Sequence, residues 1–208
     1  MNYLAHILLA RQSDAAMIGA MLGDFVKAND VRNYPAEIAK EIILHRNIDS
    51  FTDNHAVFRS SVQLFGEGRR RYAGIVLDVL YDHLLSQRWD KFCDIHRPDF
   101  IERFYRALLA HQEMLPEKLR DLAPRIVQQD WLGSYEELEG VEMAVTRISQ
   151  RLSRNGELLR DGLADVRVHY AALAEGFDEF FPQLMRYAET RRAQLPAGPV
   201  YHLGSGTV

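Results

Sequence analysis

Apolar residues recur at three- and four-residue intervals along almost the whole chain, and no segment before residue 195 alternates with a period of two between turn residues. This pattern predicts an all-α protein. Ser13 reads as the N-cap of a helix running to about Val26, and Pro35 as the first-turn residue of another ending near Asn54. Further helices are expected near 55–65, 69–88, 98–114, 116–130, 134–153, 157–174 and 176–194. Glycine and proline total 20, and five of them (Pro196, Gly198, Pro199, Gly204, Gly206) crowd into the last 13 residues. The expected organisation is therefore one helical domain over 1–195 and a flexible C-terminal tail over 196–208.

The informative positions are those where an apolar stripe turns polar. In the helix from Pro35, Ile38, Ile42, His45, Asp49 and Thr52 share one face, aliphatic at first and His and Asp later, with Asp53 one turn beyond Asp49. An internal His45–Asp49 hydrogen bond or a solvated end to the stripe would also account for it. The segment YAGIVLDVLYDHLL, Tyr72–Leu85, is apolar nearly all round, yet Asp78 and Asp82 lie four apart on it with His83 beside them. Met17, Met21 and Asp24 likewise share a face, and Asp24 is electrostatically misplaced at the negative end of a helix. His6, three residues after Tyr3, fits either a core histidine or a ligand.

Burying carboxylates is costly unless they are paired or bound to a metal. Inward Asp and His without thiolates form a hard donor set suited to Mn²⁺, Mg²⁺ or Fe²⁺. A cation held there would acidify a bound water and polarise a phosphoryl oxygen, with Arg46 or Lys27 neutralising the remaining phosphate charge. Phosphoester hydrolysis is the reaction this suggests. Spacing alone does not separate it from a helical metal oxygenase.

Composition narrows the field. The chain has 208 residues, 47% apolar and 26% charged, which excludes wholesale disorder and fibrous repeats. A net charge of −4 argues against a nucleic-acid binder, although 21 of the 25 cationic residues are arginine. The longest stretch free of strongly polar side chains, Ala15 to Gly23, has nine residues, against about 20 for a membrane helix. With no signal-like N-terminus, a cytoplasmic protein without membrane contact is expected. The single cysteine, Cys93, reads as a small core hydrophobe.

The opening MNYLAH, GDFVKAN at Gly23–Asn29, HRNIDSFTDN at His45–Asn54 and LDVLYDHLL at Leu77–Leu85 together resemble the acyl carrier protein phosphodiesterase family. The likeness extends from Met1 to about Arg192, with its distinctive motifs before residue 90. It implies manganese-dependent hydrolysis of the phosphodiester joining 4′-phosphopantetheine to a serine of holo acyl carrier protein, and a single helical domain resembling the HD-type phosphohydrolase fold. The adjacent His-Asp pair of that wider superfamily is absent; only the reversed Asp82-His83 occurs. By family motif, Asp24, Asp49, Asp78, Asp82 and His6 are the expected metal ligands. His45 and His83 are candidate proton donors, and Arg46 and Lys27 are expected to stabilise the nonbridging oxygens. Carrier proteins are strongly acidic, so the run Arg69, Arg70 and Arg71 is the expected docking patch. Two alternatives remain open: a metal phosphohydrolase acting on another phosphodiester or nucleotide, and a noncatalytic module that docks acyl carrier protein.

Overall fold

A computed structural model describes residues 2–196. The chain is all-α, as its periodicity predicts, and no strand occurs among the described residues. Two short helices, α1 (Tyr3–Leu9) and α2 (Asp14–Leu22), lead into a 3-10 turn over Ala28–Asn33 and then α3 (Ala36–Asn54) and α4 (Ala56–Gln63). The central α5 (Arg70–Gln87) is followed by α6 (Arg97–Ala110), α7 (Glu117–Gln128), α8 (Leu138–Ser149) and the long α9 (Gly156–Gln194).

Helix α5 packs against α1, α4, α8 and α9, which is why its sequence is apolar nearly all round. Tyr81, fully buried, meets Phe58, Phe177 and Phe180 in edge-on or tilted ring contacts at 5.3–5.8 Å. Such geometry lets the positive ring edge face the negative ring face. Cys93 is buried among apolar neighbours, as expected.

Several boundaries differ from the sequence reading. Helix α1 was not anticipated. The helix capped by Ser13 does start there, with its Oγ accepting from the Ala16 amide, but it stops at Leu22 instead of Val26. The amides of Phe25 and Val26 both return to the Leu22 carbonyl, a tight turn that swings Asp24 off the helix axis. The helices expected at 157–174 and 176–194 are one helix of 39 residues. Its buried face (Leu173, Ala174, Phe177, Phe180, Phe181, Leu184) runs without a break past Gly176, and Pro182 is accommodated within it. Gly176 serves close packing, since a Cβ there would stand 3.1 Å from Val57 Cγ1 of α4. The expected tail over 196–208 lies, beyond Pro196, outside the described residues. Among the described residues no helix is long and apolar enough to cross a membrane.

Candidate active site

Three segments from the first quarter of the chain bring His6 (α1), Asp24 (the turn after α2), and His45 and Asp49 (α3) together. On α3 the two residues are one turn apart, and His45 Nε2 lies 3.2 Å from Asp49 Oδ2. That is the internal helix pair considered from the sequence, but it is not alone. The same nitrogen lies 3.2 Å from Asp24 Oδ1, while the other Asp49 oxygen accepts from His6 Nε2 at 3.1 Å. Asp49 thus spans both imidazoles, and the rings stack at 3.7 Å with an interplanar angle of 15°. One donor atom from each of His6, His45 and Asp49 can be chosen so that all lie within 4.8 Å of one another.

The placement of His45 follows from close backbone packing. Its Nδ1–H donates to the Ala20 carbonyl at 2.7 Å, which fixes the ring orientation and turns Nε2 toward the carboxylates. The ring lies where a side chain at residue 23 would be: a Cβ on Gly23 would stand 2.1 Å from His45 Cγ. Gly19, one turn earlier, is also crowded: a Cβ there would stand 2.6 Å from the Ile38 carbonyl oxygen. The GAMLG segment, Gly19–Gly23, is thus the small-residue face that lets α2 lie close against α3. The visible signal is two glycines four apart within the range expected to be helical up to Val26, where glycine is otherwise unfavourable.

The two imidazoles are 2% exposed, whereas Asp24 and Asp49 are 51% and 36% exposed, so the cluster opens to solvent on its carboxylate side. Burial opposes protonation of His45, but hydrogen bonds to Asp24 and Asp49 and their charges outweigh it and raise its pKa to about 9. His6, depressed by burial and then by the adjacent His45 charge, falls to about 4. One ring carries the charge and the other stays neutral. Burial pushes the Asp24 and Asp49 carboxyls up, yet the histidines prevail and both end below the ordinary carboxylate range. His6 Nδ1 is buried without a hydrogen-bond partner among the described residues.

The remaining expected residues divide. Asp78, half-buried on α5, is near enough for the charge of Asp49 to act on it: its pKa is raised by burial and further by the charges of Asp49 and Asp53. Asp82, also an expected ligand, turns toward the start of α1. Fully buried, it accepts from the amides of Leu4 at 2.8 Å and Ala5 at 3.0 Å, so its two oxygens satisfy the first turn of α1. Burial raises its pKa to about 7, against the pull of those amides. Asp82 therefore holds the helix that carries His6. His83, about 100° farther round α5, points elsewhere: its Nδ1–H donates to the Tyr135 carbonyl at 2.9 Å, and its Nε2 pairs with the Tyr170 hydroxyl at 2.9 Å. It bridges α5 to α9 and is not part of the His6–His45 cluster.

Arg46 is half-buried and donates to the Val26 carbonyl, tying the Asp24 turn to α3. Lys27 stands exposed just before the 3-10 turn. Of the arginine run, Arg69 is committed to Asp165 of α9 through two bonds of 2.6 and 2.8 Å, and Arg70 donates to the Phe65 carbonyl at 2.9 Å. Arg71 is exposed.

The model of the acyl carrier protein phosphodiesterase family matches residues 1–184 of the chain. Proteins named acyl carrier protein phosphodiesterase are similar to it over 92% of its length and the whole of their own: one from Klebsiella pneumoniae subsp. pneumoniae at 35% identity, another from a second Klebsiella pneumoniae strain at 37%, and one from Yersinia enterocolitica at 34%. No solved structure matches the chain.

Proposed function

The chain belongs to the acyl carrier protein phosphodiesterase family of phosphoric diester hydrolases, and on that premise we propose that it hydrolyses the phosphodiester joining 4′-phosphopantetheine to a serine of holo acyl carrier protein, releasing the apo protein. The observation that carries this reading is the convergence of His6, Asp24, His45 and Asp49 on one solvent-facing point. Three segments contribute, and all four side chains offer nitrogen or oxygen atoms.

These residues fit a divalent cation. The donor set is imidazole and carboxylate without thiolate, the class that suits Mn²⁺, with Mg²⁺ or Fe²⁺ as alternatives. His45 has the outward hydrogen bond to a backbone carbonyl that orients ligating histidines elsewhere. His6, His45 and Asp49 would hold the ion, with Asp24 on the open side and Asp78 at the margin. When bound, the ion would supply Lewis acidity toward a phosphoryl oxygen and an acidified water.

The chain's own groups set the rest. Without a cation, His45 holds a proton between two carboxylates; with one, that position is taken, so ligation and proton donation by His45 are alternatives. Arg46, fixed through Val26, keeps the Asp24 turn in place and adds positive charge near an otherwise acidic site. His83, hydrogen-bonded to the Tyr135 carbonyl and the Tyr170 hydroxyl, stands outside the His6–His45 cluster, and we assign it to the scaffold. The test is incubation with holo acyl carrier protein and Mn²⁺, followed by intact-mass measurement. A mass loss equal to phosphopantetheine, abolished by chelation, is expected. An unchanged carrier protein would overturn the activity, and full turnover in chelator with metal content confirmed absent would overturn the cation.

A further inference from the structure

A depression has Tyr3, three residues before His6, in its lining. It is a small cavity of about 40 Å³ lined by Tyr3, Trp131, Tyr135, Arg147, Ile148 and Arg151. Tyr3 connects the two regions. It begins the helix that carries His6, and its ring stacks at 6.4 Å on Phe25, the residue next to Asp24.

The rim of this depression is cationic and partly apolar. The Arg147 guanidinium sits 4.6 Å over the Trp131 ring, a cation–π contact. Arg151, just past the end of α8, is exposed. Met143, one turn before Arg147, is 46% exposed, so Met143, Arg147 and Arg151 recur every four residues along one side. Among the described residues neither arginine has a carboxylate within ion-pairing distance, whereas Arg69 at the start of α5 is neutralised by Asp165. An anionic partner would find charge uncompensated at Arg147 and Arg151, and also at Arg70 and Arg71 but not at Arg69; what sets the α8 pair apart is that they line a depression shared with Tyr3.

We propose that this end of α8, and not the start of α5, is the docking surface for an acidic carrier protein: Arg147 and Arg151 meet its carboxylates, the depression takes one apolar side chain between them, and the prosthetic arm then enters past Tyr3 toward Asp24. The assignment rests on the carrier protein being the substrate. Charge complementarity argues for this occupant, because a protein of net charge −4 needs a local cationic face to receive an acidic one.

The experiment compares wild type, Arg151→Glu and Arg147→Glu/Arg151→Glu on holo carrier protein and on bis(p-nitrophenyl) phosphate, with binding of apo carrier protein measured by calorimetry. Reversal of both charges should raise KM for holo carrier protein and the Kd for apo carrier protein by about tenfold or more, leave kcat and the small-diester rate near wild type, and flatten the salt dependence of kcat/KM. Arg151→Glu alone, at an exposed position, should show part of the effect with unchanged thermal unfolding. An unaltered KM and Kd in a folded double variant would overturn the docking assignment. Equal losses on both substrates would also overturn it, placing the arginines in the site's architecture. A wild-type protein that cleaves the small diester but neither binds nor cleaves carrier protein would instead remove the functional reading itself.

Discussion

Replacing Gly23 with alanine tests the site through a single added carbon. The backbone at residue 23 is ordinary right-handed helical, φ −51° and ψ −38°, so alanine meets no conformational penalty there. What it meets is the His45 ring. Relieving a 2.1 Å approach to the 3.4 Å of ordinary contact requires a movement of about 1.3 Å. The ring is held by the Ala20 carbonyl at 2.7 Å and by Asp24 and Asp49 at 3.2 Å, so such a movement breaks one set of bonds or the other. Overpacking of this kind typically costs about 1–3 kcal/mol of stability. Misplacing a catalytic group by about 1 Å can cost roughly a hundredfold in rate. Gly74, inside α5, is the matched control, because a Cβ there would find its nearest neighbour, Phe58 Cζ, 4.0 Å away. Gly74→Ala should be neutral or stabilise by up to about 1 kcal/mol through helix propensity. Urea unfolding, Mn²⁺ titration and kcat on holo carrier protein should then separate the two variants sharply. A Gly23→Ala protein with wild-type stability, Mn²⁺ affinity and turnover would refute the account of how His45 is placed.

In chelator-treated protein, the His45 pKa of about 9 lies above the ordinary value of 6.5 despite burial, because of its bonds to Asp24 and Asp49. Its stabilising contribution is therefore complete below pH 6.5 and lost as pH rises through about 9. Tm should fall over that window in wild type and less steeply in Asp49→Asn; equal slopes would remove the coupling. Asp82→Asn offers α1 one carbonyl oxygen where two carboxylate oxygens now accept, and presents an amide donor to a backbone N–H. The buried mismatch should cost about 1–3 kcal/mol, and hydrogen exchange at Leu4 and Ala5 should accelerate. Unchanged protection there would refute the view that Asp82 secures the helix bearing His6.

The helical class and most element starts were legible because period and capping are local properties. Ser13 caps as it reads, and α3 and α5 fall within a residue or two of their expected limits. The expected division between 174 and 176 does not occur, because the buried face runs on past Gly176, where the missing side chain admits Val57. In the site, the polar interruptions did mark His45, Asp49, Asp24 and Asp78. Residues that share a helix, however, can face different neighbours. Asp82 and His83 are adjacent in sequence and look like ligands, yet one serves the amides of α1 and the other the side of α9. Spacing shows which residues leave a helix together, but not what awaits them.

The buried carboxylate of Glu41 on α3 has a bearing on how the chain emerges from the ribosome. It is 3% exposed and is held by two bonds, of 2.6 and 3.0 Å, to Arg192 near the end of α9, 151 residues later. All four site residues have been synthesised by residue 49, but the cation that balances the helix beside them comes last. At about 5–20 residues per second, the N-terminal helices wait on the order of 10–30 s for α9. During that interval α3 exposes an uncompensated acid and the apolar stripe that α9 will cover. Truncations ending before Arg192 should thus be less stable and more readily degraded than the full chain, although they retain all four site residues.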